Sequence, residues 1–345
     1  MLKKCLIASM AWVLAACGSG EQGADQKGEA PAGAARLTGA GATFPAPLYS
    51  QWAKAFQEDG GVSVNYQPIG SGGGVKQIKA GTVAFGASDR PLEGAELEAA
   101  GLVQFPTVLG GVVPVVNVPG LAAGELKLTG PLLAELFEGK IARWNDPRLA
   151  AAAGKPMPNL PITVVHRSDG SGTTFVFTSY LSMKSPAWKT AYGAGEALEW
   201  PAGIGGKGND GVAAYVKQTP GAIGYVEHAY AMQNGMAHAQ LQNAAGQFTD
   251  PSGEGFAAAA VAADWAGVPG YGILLLDEPG QGAWPITAAT FILVHRTAAG
   301  RDAARFFEWA FSKGDGSAEA LGYTPLPAAV KDMVRATWAK ELPAG

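Results

Sequence analysis

Arg167-Ser168-Asp169-Gly170-Ser171-Gly172-Thr173-Thr174, followed at once by Phe175-Val176-Phe177-Thr178-Ser179-Tyr180-Leu181, joins a guanidinium, a carboxylate, hydroxyls and glycines to the first turn of a helix. Immediately before it, Ile162-Thr163-Val164-Val165-His166 has strand character. Strand, Gly-rich turn and helix in that order are the building unit of α/β folds. A helix start leaves N–H groups unpaired and carries partial positive charge, which makes it an anion site. Arg167 adds a planar fork of donors suited to a tetrahedral oxyanion.

Working outward, the same alternation recurs along the chain, so the fold class is α/β. Val62–Tyr66, Val83–Ala87 and Phe291–His295 read as further strands, and Pro47–Phe56, Gly74–Lys79, Thr174–Leu181 and Ala303–Phe311 as helices. Two apolar stretches are long for single strands: Val108–Val118, and the run from Trp284 to Val294. Far apart in sequence, they suit two crossovers between lobes, which makes the first lobe discontinuous (37–112 and 288–345) and the second 113–287. Gly-rich turns lead into helical runs at Gly39–Phe44, Gly70–Lys76 and Gly170–Thr174. The first and third share Gly-small-Gly-small-Thr-Phe, an echo that suits one helix start from each lobe facing a common cleft; a chance likeness between turns is the plain alternative.

At 345 residues and 48% hydrophobic composition, the chain has material for about two domains. A formal net charge of −4 argues against nucleic acid as a partner. Lys3-Lys4, the apolar run Leu6–Ala16 and Leu14-Ala15-Ala16-Cys17 read as a signal peptide over residues 1–16 whose end resembles a lipobox, in which Cys17 is the acylated N-terminus; an ordinary signal peptide with a chance Cys is the plain alternative. Cys5 leaves with the signal, so the mature chain has no disulfide. Residues 17–36 read as a flexible tether, with Gly18–Ala35 lacking any large apolar side chain. The apolar signal run is too short for a permanent span.

Rival chemistries fail on spacing. Neither Gly70–Lys76 nor Gly205-Gly206-Lys207-Gly208-Asn209 is a P-loop, and Phe44 and Phe175 stand where a dinucleotide fingerprint needs its third glycine. Ser171 and Ser71 are preceded two places earlier by Asp169 and Ile69, so no nucleophile elbow exists. The four histidines (His166, His228, His238, His295) form no metal pattern, and no cofactor is called for.

Asp89, in Phe85-Gly86-Ala87-Ser88-Asp89-Arg90-Pro91, either caps a turn beside Arg90 or places a carboxylate in the anion site. An ionised carboxylate accepts hydrogen bonds and cannot donate. It therefore repels an anion unless that anion brings a proton: monohydrogen phosphate does near neutral pH, and sulfate does not. Asp169 can play the same part or orient Arg167.

Leu37–Tyr49, Ile69–Ile78, Phe85–Asp89 and Arg167–Phe177, with Gly205–Gly211, Pro220–Glu227 and Ala283–Thr287, resemble the periplasmic phosphate-binding protein of the high-affinity ABC phosphate-uptake system, from Leu37 to about Trp338. The resemblance implies a two-lobed, type II periplasmic-binding-protein fold that closes over one phosphate, with no enzymatic step. It implies contacts from Thr43, Phe44, Ser71 and Asp89 on one lobe and from Arg167, Asp169, Ser171, Gly172 and Thr173 on the other. Phe44 and Gly172 would give backbone N–H groups. The implied partners are monohydrogen phosphate and an inner-membrane ABC permease, for a monomeric protein of the periplasm held to a membrane through Cys17. Gly72 replaces a common second Ser, His166 replaces a common Arg, and 267–282 departs from the family pattern. The rivals are a secreted phosphatase and a binding protein for another oxyanion such as sulfate.

Overall fold

The computed structural model describes residues 36–261 and 263–343. The signal peptide, Cys17 and the tether up to residue 35 lie outside them, and Arg36 already opens the first strand.

Strand Arg36–Gly41 lies between two parallel neighbours, Ser63–Pro68 and Phe85–Ser88. Helices Ala46–Glu58 and Ser71–Lys79 make the crossovers. Phe85–Ser88 pairs antiparallel with Ile286–His295, which pairs antiparallel with the 16-residue strand Leu102–Asn117. That long strand changes partners midway. It faces Ile286–His295 as far as Gly111↔Thr287, and from Val112↔Glu227 it faces Ala222–Glu227. Beyond lie the parallel strands Thr163–Arg167 and Ile204–Gly206. One strand thus runs through two α/β halves of a two-lobed, type II fold. It is buried from Leu102 to Val116, which is why it reads as an unbroken apolar run.

The other long run behaves differently. Ile286–His295 pairs only within the first half, and Leu275–Leu276 docks on its start. Its unbroken burial reflects several helices packed over it. Helix Ala298–Lys313 is one of them, bringing Ala303, Phe306, Phe307, Ala310 and Phe311, an i, i+3, i+4 stripe. Phe307 meets the rings of Tyr49, Phe85 and Phe105 at 5.2–5.7 Å. The second half has its own aromatic core, in which Tyr225 stacks on Phe177 at 4.2 Å and on Trp200 at 5.9 Å.

Strand directions decide where chemistry collects. The three parallel strands of the first half end at Gly41, Pro68 and Ser88, and the turns just beyond carry Thr43-Phe44, Ser71 and Asp89. In the second half Thr163–Arg167 and Ile204–Gly206 end just before Ser168–Ser171 and Gly208-Asn209. Carboxyl ends of strands in open α/β sheets are where ligands bind.

Candidate functional site

All nine residues expected at the site come together where the halves meet. Thr43, Phe44, Ser71, Asp89, Arg167, Ser171 and Thr173 are each at most 4% exposed, and Gly172 is buried. Asp169, half-buried, is bound to Arg167 at the edge of the group.

Arg167 ends its strand with a buried guanidinium. Nε and Nη2 donate to Asp169 Oδ1 and Oδ2 at 2.8 and 2.6 Å, a fork-to-fork pair, and Nη1 reaches Thr173 Oγ1 at 3.4 Å. Burial pushes Asp169 up, but the Arg167 bonds and the Gly208 N–H at 3.1 Å outweigh it and hold its carboxyl below the usual range. The bidentate pair places Asp169 to fix the guanidinium plane, the geometry that its orienting role requires.

Helix Gly172–Lys184 begins beside this pair. Ser171 caps it, its Oγ accepting from Thr174 N–H at 3.0 Å, as short polar caps do. The hydroxyl proton of a serine that accepts in this way is still available to a ligand. The N–H groups of the first turn have no partner inside a helix, so this end of Gly172–Lys184 offers its donors outward. A Cβ on Gly172 would stand 2.4 Å from Ser71 Oγ and 2.7 Å from Asp89 Cβ, so only glycine lets the halves approach here. Gly72 N–H also donates to Gly170 C=O at 3.0 Å, so the Ser-to-Gly departure at position 72 stands at a backbone-to-backbone contact.

On the first half, Ser71 Oγ accepts from Asp89 N–H at 3.2 Å. Asp89 is 1% exposed; Oδ1 accepts from Thr290 Oγ1 at 2.7 Å, and Oδ2 has no hydrogen-bond partner among the described residues. Burial raises its pKa to about 7, against the pull of Thr290, Arg167 and Thr173. An orphaned, dry acceptor beside a guanidinium suits a ligand that is negative yet carries a proton.

Residues that sequence reasoning left out hold the Thr43-Phe44 turn. Asn209, fully buried, donates from Nδ2 to Thr43 Oγ1 at 2.8 Å and to Thr173 Oγ1 at 3.4 Å, while its Oδ1 accepts from Glu227 N–H at 3.0 Å. Tyr230 and Tyr323 hydroxyls each donate at 2.7 Å to the carbonyls of Thr43 and Phe44. The two halves of the Gly-small-Gly-small-Thr-Phe echo therefore meet at one asparagine. They do so differently from expectation: Gly172 itself opens a helix, whereas Thr43 and Phe44 lie before Pro45 and a helix that starts at Ala46. Asn209 follows the strand Ile204–Gly206 at the start of helix Gly208–Gln218, a fourth strand–glycine–helix unit in the sequence.

The histidines stand elsewhere. His166 stacks on Trp200 at 4.8 Å, and His228 and His295 bond the carbonyls of Gly322 and Ile78. The divergent 267–282 stretch touches both halves: Tyr271 Oη donates to Met333 C=O at 2.8 Å, and Asp277 pairs with Lys184 of helix Gly172–Lys184.

The family model of the PBP superfamily domain matches residues 25–313. Among curated proteins, the phosphate-binding protein PstS of Haemophilus influenzae is 52% identical over 311 residues, covering 89% of this chain and 93% of that protein. The phosphate-binding protein PstS of Xylella fastidiosa is 51% identical over 313 residues, covering 89% and 85%. Among solved structures, a phosphate-binding protein from Stenotrophomonas maltophilia superposes with a TM-score of 0.68 at 22% identity, over 89% of this chain and 94% of that one. A human phosphate-binding apolipoprotein superposes at 0.70 with 21% identity, over 87% and 94%. These distant structures share the fold; the sequence relatives fix the family. The chain belongs to the PstS family of phosphate-binding proteins, within the PBP superfamily.

Proposed function

We propose that this protein captures inorganic phosphate, as monohydrogen phosphate, in the cell envelope and delivers it to an ABC import permease. The observation that carries the reading is Asp89 Oδ2, a buried acceptor without a partner among the described residues, set in one cluster with the Arg167 fork and the start of helix Gly172–Lys184. The cation and the helix start attract an anion; Asp89 admits one that carries a proton. The relatives' name supports the same ligand.

In this reading Thr43, Ser71, Ser171 and Thr173 give hydroxyls, Phe44 and Gly172 give N–H groups, Arg167 neutralises charge, Asp169 steadies Arg167, and Asp89 accepts the proton. Ligand is held by closure of two lobes, 37–112 with 288–345 against 113–287, the second boundary falling inside strand Ile286–His295, which pairs within the first half. The first boundary is supported by the partner change of strand Leu102–Asn117 between Gly111 and Val112. Capture involves no covalent step. Each serine oxygen already accepts a backbone N–H, and three of the four histidines are engaged outside the cluster. A monomer tethered to a membrane through acylated Cys17 completes the proposal; among the described residues no helix is long and apolar enough to cross a membrane.

Titration calorimetry of protein stripped of endogenous ligand, with phosphate and with sulfate, tests this reading. Tight one-to-one phosphate binding with weak sulfate binding is expected. Sulfate binding without phosphate binding, or steady release of p-nitrophenol from its phosphate ester, overturns it.

A further inference from the structure

The carboxylate that reads the ligand's proton is itself set by a residue 201 positions away. Thr290, 0% exposed, lies on strand Ile286–His295 where the pairing with Leu102–Asn117 slips between Thr290 and Phe291. Its hydroxyl donates to Asp89 Oδ1 at 2.7 Å. Its carbonyl accepts from Thr107 Oγ1 at 3.1 Å, and Thr107 Oγ1 in turn accepts from Tyr49 Oη at 2.5 Å. Thr290 is thus pinned from behind, and its single proton is committed to Asp89.

Two consequences follow from this geometry. Oδ1 already accepts one hydrogen bond, whereas Oδ2 has none among the described residues and is the freer oxygen to meet a ligand. A hydrogen bond donated to a carboxylate favours its ionised form, against the pull of burial. The other groups around Asp89 divide: Arg167 and the Thr173 hydroxyl favour the ionised form and Glu196 opposes it, while Glu227, its own pKa pushed well up by burial, and the hydroxyls of Tyr49, Tyr66, Tyr230 and Tyr323 stand nearby. Thr290 leads the influences that hold Asp89 down.

We propose that Thr290 is a specificity-determining positioning residue: its hydroxyl, donated to Asp89 Oδ1, keeps the carboxylate an acceptor and reserves Oδ2 for the proton of the bound oxyanion. The inference rests on the phosphate-capture reading. Without that hydroxyl, Asp89 takes up a proton at higher pH, becomes a donor, and satisfies sulfate as well as phosphate.

The test is calorimetry with phosphate and sulfate on wild type, Thr290→Val and Thr290→Ser, from about pH 5.5 to about pH 9. In wild type, the preference for phosphate is expected to fall as pH drops below about 7. In Thr290→Val the midpoint of that fall moves up by about one pH unit or more, and the preference at about pH 7.5 drops about tenfold. Thr290→Ser restores the wild-type midpoint. A folded Thr290→Val protein with the wild-type midpoint overturns the proposal, as does a parallel loss of both anions with no shift. If Thr290→Val fails to fold, Thr290→Cys, close in size and only a weak donor, takes its place: a raised midpoint supports the proposal, and an unmoved one overturns it. Failure of wild type to bind phosphate overturns the functional reading and this inference together, whereas an unmoved midpoint in a phosphate-binding variant overturns the inference alone.

Discussion

An ionised carboxylate is strongly hydrated in water, and Asp89 is 1% exposed. Burial lifts its pKa from 3.8 to about 7, so between those values the folded chain keeps a proton that the unfolded chain has lost. The stability this contributes is therefore full below about 3.8 and lost as pH rises through about 7, a swing of roughly 4 kcal/mol at most. Melting curves of ligand-free wild type and Asp89→Asn should accordingly converge or cross as pH is raised through this window, and a constant gap would contradict the assignment. The same substitution replaces an acceptor with an amide that can also donate, so the preference for phosphate over sulfate should fall about tenfold or more at neutral pH in calorimetry. The acceptor role proposed for Asp89 can be argued from Phe85-Gly-Ala-Ser-Asp because donor and acceptor inventories belong to residue types. Its keeper Thr290, and the Asn209, Tyr230 and Tyr323 that hold Thr43-Phe44, were not legible in this way. They reach the site through contacts 166 to 279 positions apart, which no local spacing encodes.

Among the elements, helix Gly172–Lys184 does two jobs that its sequence announces together: Ser171 caps it, and its start packs at Gly172 against Ser71 and Asp89 of the opposite half. Helix Ser71–Lys79 was legible only from Gly74 onward, because Ser71-Gly72-Gly73 has poor intrinsic helix propensity. Packing overrides that propensity. A Cβ on Gly74 would stand 2.5 Å from Gly41 Cα and 2.6 Å from Ala40 C=O, so the glycine that weakens the helix lets it lie against the strand. At Gly172 the obstacle is instead on the facing half, at Ser71 Oγ and Asp89. Gly172→Ala should therefore leave the melting temperature of ligand-free protein within a few degrees of wild type, since alanine suits a helix start better than glycine. Phosphate affinity should fall about a hundredfold, because the added methyl props the halves apart. Calorimetry paired with a thermal melt checks both, and wild-type affinity in the variant would show that the halves need not approach at this point.

For the whole molecule, the sequence's two long apolar runs pointed to a two-lobed fold, and only one of them runs through both halves. Val108–Val118 belongs to the strand that changes partners, whereas Trp284–Val294 is apolar because its strand, paired within one half, is buried under several helices. Apolar length reports burial and cannot report which partners do the burying. Polar contacts also join the halves. Asn209 and Tyr230 bond Thr43, Gly72 bonds Gly170, and Arg90 Nε meets Glu196 Oε2 at 3.1 Å. The Arg90–Glu196 pair is partly open to solvent, with both side chains about one-fifth exposed, and Arg90 also meets Glu96 at 3.4 Å. A partly exposed pair of this kind is worth about 1 kcal/mol, screened by salt. It forms only when the halves are together, so removing it should speed opening and leave the first encounter with phosphate nearly unchanged. Glu196→Gln keeps the backbone carbonyl that accepts Ser171 N–H at 2.9 Å and removes only the charge. Stopped-flow release of phosphate into a scavenger should accelerate about fivefold at low ionic strength. The difference from wild type should shrink as salt is added, because the lost term is a screened ion pair. An unchanged release rate, or a difference indifferent to salt, would mean that the Arg90–Glu196 pair does not hold the halves together.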